Sequence, residues 1–289
     1  MRTSRSSSTS RAGTGILRRF LGLVWVGHPG PSVLNGLAAG AIAAVAGAAP
    51  AEAVRLGVAM TALQLAIGAT NDLVDAERDA TAGRQKPIPL GLVDVRSARL
   101  LAAGSGLGGL VLAASVNPAV GGLAAVGLGL GLAYDLWLRS LGLGWLAFVL
   151  GLPLVPIYGW LGGAGVLPTP ILGLAAAAVP AGLGLAVGNG LRDAAADQVG
   201  GVPTIALRLG RFGPAVAAAA HAVALGILLG GLASWGGDGV GLAMLGIGVA
   251  LLAVGLLLPA AGRAWEVQAV GLAVVAVGWL ASLREVGAL

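Results

Sequence analysis

Residues 71–91 read NDLVDAERDATAGRQKPIPLG, with four acidic residues packed into positions 72–79 of a 289-residue chain in which only 10% of residues are charged. The apolar stretch 54–70 runs directly into it, so the acids mark the point where a hydrophobic helix leaves its apolar surroundings. Working outward, apolar stretches recur at 33–49, 54–70, 98–115, 119–134, 142–162, 170–189, 214–234, 239–259 and 266–283. Each is near the roughly 20 residues needed to cross a bilayer as a helix, the form in which a lipid-embedded backbone satisfies its own hydrogen bonds. The composition agrees: 57% of residues are hydrophobic, mean hydropathy is +0.93, and there are 51 glycines. Runs such as GLAAVGLGLGLAY (122–134) are poor helices in water, but small residues let helices approach closely in lipid. The expected fold is an all-α membrane protein, a bundle of nine transmembrane helices.

Charge sets the expected orientation. With nine spans, fifteen Lys and Arg fall on the side of the N-terminus and two, Arg55 and Arg284, on the other. The positive-inside rule then places the N-terminus and the acidic loops in the cytoplasm of a multi-pass cell-membrane protein. Trp25, Trp137, Trp145, Trp160, Trp235, Trp265 and Trp279 lie near span ends, as an interfacial belt requires. Residues 1–30 read as a Ser/Arg-rich cytoplasmic tail followed by a short interfacial segment, and 31–289 as one transmembrane domain. The chain has no cysteine, which excludes disulfides, thiolate nucleophiles and cysteine metal sites. Its net charge of +5 is dispersed between apolar runs, which suits a membrane surface and no nucleic-acid partner.

The acidic stretch has a partner. Residues 71–79, NDLVDAERD, and 189–197, NGLRDAAAD, share N-x-L-x-D-x-x-x-D at a constant offset of 118 residues. Four spans separate the copies, so both emerge on the same side, as expected of two four-helix units in tandem plus one extra helix. The i, i+4 spacing puts Asn71, Asp75 and Asp79 on one helix face, and Asn189, Asp193 and Asp197 on another. With Asp72, five carboxylates then converge, an arrangement that repulsion forbids without a cation. An all-oxygen donor set favours Mg²⁺, or Mn²⁺, and Mg²⁺ takes only one or two carboxylates per ion before water and phosphate oxygens complete its shell. Two acidic arms therefore suggest two ions with a diphosphate between them. Arg84, Lys86 and Arg139 follow closely enough to neutralise phosphate charge, although membrane topology alone accounts for many loop arginines. One acidic motif alone would read as a helix cap or surface ion pairs; two at a fixed offset read as a cation site.

These residues resemble the UbiA-type membrane prenyltransferase superfamily. Its first signature, N-D-x-x-D-x-x-x-D followed by a basic-Pro-x-Pro-x-Gly turn, is matched by Asn71, Asp72, Asp75 and Asp79, then Lys86, Pro87, Pro89 and Gly91. Its second, D-x-x-x-D followed by T-x-A-x-x-L-G, is matched by Asp193 and Asp197, then Thr204, Ala206, Leu209 and Gly210. The likeness runs from about His28-Pro29 to the end. It implies transfer of a polyprenyl group from its diphosphate to an acceptor within a cavity open to lipid. It further implies that Asn71, Asp72, Asp75, Asp193 and Asp197 are the metal and diphosphate residues, Asp79 completing the first motif, and that Lys86 and Arg139 contact phosphate. The chain departs from the pattern at Lys86, where Arg is commoner, at Asp94, where Ser is frequent, and at Ala195, Gln198, Val202 and Pro203.

Tyr134, at the end of the fourth span, is placed to steady a carbocation or a hydroxyl acceptor, or else to anchor in the interface. Asp135 and Arg139 are spaced for an i, i+4 pair. His28 and His221 have no partner at ligand spacing and read as packing or pairing residues. The expected acceptor is aromatic; a lipid alcohol, a glycerol phosphate and a tetrapyrrole are the alternatives. A cation-coupled transporter also carries repeats and intramembrane acids, but its site sits near the midplane, whereas these acids lie at span ends. A silent isoprenoid-lipid binder is the third class.

Overall fold

The computed structural model describes residues 18–259 and 261–289, all helix and connecting loop. A short helix α1 (residues 18–26) leads to α2 (Pro29–Val45), α3 (Pro50–Thr81), α4 (Val95–Val116) and α5 (Pro118–Ala133). Then follow a π turn (Tyr134–Leu138), α6 (Trp145–Gly151), α7 (Leu154–Ala164), α8 (Thr169–Val199), the short α9 (Ile205–Leu209), α10 (Gly213–Trp235), α11 (Gly239–Leu257) and α12 (Ala261–Glu285). The tail expected over residues 1–15 lies outside the described residues. Of α1, Phe20, Leu21 and Trp25 are exposed while Val26 is buried against Ala69, Val93 and Ala98.

Among the described residues, eight helical segments are long and apolar enough to cross a membrane. The first of the nine expected spans is the shorter α2, at 17 residues. The fifth is interrupted between α6 and α7 at Leu152-Pro153, where proline removes a backbone donor.

The repeat read from two short motifs extends to the whole architecture. Shifted by 118 residues, α2 to α5 with its π turn fall on α6–α7, α8, α10 and α11, with every boundary agreeing to within three residues. The helix left over is α12, which packs along α11 and against α2 and α8. Small residues set the helix spacing: a Cβ on Gly57 would stand 2.9 Å from the Gly36 carbonyl oxygen, and one on Gly68 would stand 2.7 Å from that of Gly27.

The two helices that carry the motifs are the longest, at 32 residues for α3 and 31 for α8. At 1.5 Å per residue each spans about 46–48 Å, against about 30 Å of hydrocarbon. Each therefore projects beyond the apolar layer at its C-terminal end, and the acidic residues ride on that projection.

The interfacial-belt expectation fails for two tryptophans. Trp160 and Trp279 are only 4% and 0% exposed, and the Trp279 indole donates to the Leu228 carbonyl at 2.9 Å inside the bundle. Proximity to a span end was the wrong criterion there, because α7 and α12 face neighbouring helices at those positions. Trp25 and Trp137 are exposed, as a belt requires.

Candidate active site

The projections of α3 and α8 bring the two motifs together, tied by basic side chains. Arg139 donates from one guanidinium nitrogen to Asp75 of the first motif and from the other, at 2.9 Å, to Asp197 of the second. Arg84, in the loop after α3, reaches Asp193 at 3.2 Å and Asp79 at 3.6 Å. Lys86 lies 2.7 Å from Asp72 and 3.0 Å from Asp79. Two arginines thus bridge the arms, and the planar guanidinium suits this because it offers donors in two directions at once. Burial works against the charge on Lys86, but Asp72 and then Asp79 more than offset it, and its pKa is raised.

The cluster is larger than the sequence indicated. Asp135 is 7% exposed and accepts from Asn71 at 2.9 Å, making a sixth carboxylate. It is no surface partner of Arg139, and the reason is the π turn: the Arg139 amide donates five residues back to Tyr134. One extra residue in the turn takes the Arg139 side chain off the i, i+4 line from Asp135 and turns it to Asp75 and Asp197. No composition or spacing signal announced that insertion.

His28, read as a packing or pairing residue, does pair, and it does so at the site. Its ring nitrogen is 2.8 Å from Asp72. It is the one described non-glycine residue with positive φ, at φ 51° and ψ 63°, a conformation that costs about 1–3 kcal/mol and holds the ring toward the acids. Arg78 and Arg192, which lie within the two acidic segments, pair with Asp75 at 2.8 Å and Asp193 at 3.3 Å. The Arg192 guanidinium also lies 4.9 Å over the ring of Trp265.

The motif tails have plain local reasons. Gly91 closes the Pro87–Gly91 turn at φ 67°, which fixes Lys86 over the first motif. Thr204 caps α9 by accepting from the Leu207 amide, and Gly210 ends it at φ 51° and ψ −127°, a backbone conformation open to glycine. Ala206 explains Gly190: a Cβ on Gly190 would stand 2.8 Å from that of Ala206. Asp94, a departure from the family pattern, is the N-cap of α4 and accepts from the Ser97 amide at 2.9 Å. His221 is buried and bonded to Gln268 at 3.3 Å, a packing role as expected.

The acids sit at the head of a cavity of about 570 Å³ that runs down between the helices. Asn71, Asp75, Asn189, Asp193, Arg84, Lys86, Arg139 and Tyr134 line its polar end, whereas Asp72, Asp79 and Asp197 are buried behind, each held by a cation. Below, the walls are apolar, including Leu63, Leu123, Leu185 and Leu272. Among the described residues no three His, Asp or Glu side chains converge to hold an ion by themselves. The donor chemistry nevertheless fits a hard cation that keeps most of its shell from water and phosphate: all donors are oxygens, and Asp135 Oδ2 is buried with no hydrogen-bond partner.

Fold and site together define a multi-pass helical membrane protein with a paired acidic centre at the head of an apolar cavity. The UbiA prenyltransferase family profile matches residues 32–283, so the chain belongs to that family and is a membrane prenyltransferase. Solved structures share the fold at low identity. A UbiA homolog from Aeropyrum pernix K1, in apo form, is 21% identical with a TM-score of 0.71, over 86% of this chain and 96% of that one. A digeranylgeranylglyceryl phosphate synthase is 16% identical with a TM-score of 0.68, over 93% and 99%. A UbiA homolog from Archaeoglobus fulgidus bound to GPP and Mg²⁺ is 15% identical with a TM-score of 0.66, over 88% and 99%. No curated protein matches the sequence.

Proposed function

We propose that this prenyltransferase takes a polyprenyl diphosphate, releases diphosphate with the help of Mg²⁺, and passes the prenyl group to an aromatic acceptor. The observation that carries the reading is the meeting of two acidic arms, tied by arginines, at the polar head of a deep apolar cavity. The Archaeoglobus protein of like fold holds GPP and Mg²⁺, which supports the same donor chemistry.

Asn71, Asp75, Asp79, Asn189, Asp193 and Asp197 would hold the ions, two being the number that suits two arms. Bound Mg²⁺ supplies charge neutralisation for the departing diphosphate. Lys86, Arg84 and Arg139, held by their carboxylates, offer their remaining donors to the phosphate oxygens. The allylic C1–O bond breaks, the electron pair leaves with diphosphate, and the acceptor carbon bonds to C1 and loses a proton. Asp72 sets Lys86, and the Tyr134 ring, packed edge-on to Phe148 at 5.9 Å, faces the cationic fragment. The apolar walls exclude the water that would quench it. Tyr134, Phe148 and Trp265 all line the cavity and suit an aromatic acceptor.

The fold shared with a digeranylgeranylglyceryl phosphate synthase favours a second reading, a lipidic glycerol-phosphate acceptor. In either case the arms face the cytoplasm, and residues 31–289 act as one domain behind the N-terminal tail. The test supplies the purified protein with prenyl diphosphates and both acceptor classes, with and without Mg²⁺, and follows product mass. A prenylated aromatic product that disappears with EDTA is expected. Metal-independent turnover sinks the mechanism, and a product formed on glycerol phosphate alone replaces the acceptor.

A further inference from the structure

The cavity has a measurable depth. On α8 the lining stripe is Leu174, Ala178, Ala181, Leu185 and Asn189, every third or fourth residue of one face. From Asn189, level with the acids, to Leu174 is fifteen positions, or about 22 Å at 1.5 Å per residue. On α3 the lining runs from Asn71 down to Met60, eleven positions, or about 16 Å. The end far from the acids is packed: Leu174, Ile42 and Leu228 belong to a buried cluster backed by Ile171 and Trp279, both 0% exposed.

An extended isoprene unit advances about 5 Å, being four chain bonds of about 1.5 Å each. The depth therefore holds three to four units.

We propose that the cavity is a length gauge for the prenyl donor, admitting up to four isoprene units and no more, with Ala181 and Ala178 as its graduations. This rests on the prenyl-donor reading above. Ala181 lies eight positions below Asn189 and Ala178 eleven, or about 12 and 16 Å, so a phenyl ring at either closes the channel after two or three units.

The experiment measures affinity of the purified full-length protein, in Mg²⁺, for unreactive prenyl thiodiphosphates of one to nine units, which needs no knowledge of the acceptor. For the parent, affinity is expected to rise at least about threefold per unit up to the fourth, through added apolar burial, and to level off beyond it. Ala181→Phe moves the plateau to two units and Ala178→Phe to three. Because detergent partition of each ligand is common to parent and variants, the displaced plateau is the diagnostic. Affinity that keeps climbing past four units, or plateaus that stay put in both variants, overturns the gauge and means that the chain leaves sideways into lipid. Failure to bind a thiodiphosphate of any length overturns the prenyl-donor reading itself.

Discussion

Arg139 joins the two motifs through Asp75 and Asp197, and it is 12% exposed. Breaking a buried pair by deleting one partner costs about 3–5 kcal/mol, because the carboxylates left behind lose their counter-charge. Arg139→Ala should therefore abolish turnover and lower the unfolding temperature. Arg139→Lys should keep most stability yet lose about 10-fold or more in kcat/KM, since an ammonium is a point charge and not a two-way fork. Equal activity of the lysine variant would refute the bridging role. Asp75→Asn and Asp193→Asn each remove a negative charge with little change in shape. Both should reduce Mg²⁺-dependent turnover at least about 100-fold, the scale seen when charge stabilisation at a developing anion is removed. The aspartates of the motifs were legible because they recur at one spacing. Asp135, His28 and Arg192 were not, because each reaches the site from an element whose approach only the packing specifies.

At the scale of elements, α2 and α3 meet through glycine. Gly57→Leu must push against the Gly36 backbone, whereas a Cβ on Gly104 of α4 meets nothing within 4 Å. Overpacking of this kind costs about 1–3 kcal/mol, so Gly57→Leu should lower the unfolding temperature in detergent by several degrees and Gly104→Leu should leave it unchanged. Identical melting of the two variants would show that this contact does not hold the bundle. Span positions were legible from hydropathy to within a few residues, but span ends were not. The apolar run stops at residue 70 while α3 continues to Thr81, and the run at 170–189 continues as helix to Val199. Hydropathy falls where the helix meets charge; the backbone hydrogen bonds do not. The π turn was beyond sequence reading altogether, since periodicity over five residues does not separate i+4 from i+5 bonding.

For the molecule as a whole, each repeated half contributes one arm, and the bridge runs between them. Cutting the chain in the loop between Arg139 and Trp145 separates the halves at a natural boundary. Co-expressed halves should assemble and regain Mg²⁺-dependent turnover, while either half alone should have none; activity in the first half by itself would contradict the shared site. The tandem arrangement was legible from nine residues, and the structure extends it to every boundary of four spans. The halves are not, however, copies at the site. Asp72 of the first arm corresponds to Gly190 of the second, where Ala206 of α9 leaves no room for a side chain. A centre built from two equal arms would accept a diphosphate in two opposed orientations, only one of which points the hydrocarbon down the cavity. The missing carboxylate makes the two arms unequal, so that a diphosphate held as proposed would meet different fields at its two phosphates and would enter with head and tail already distinguished.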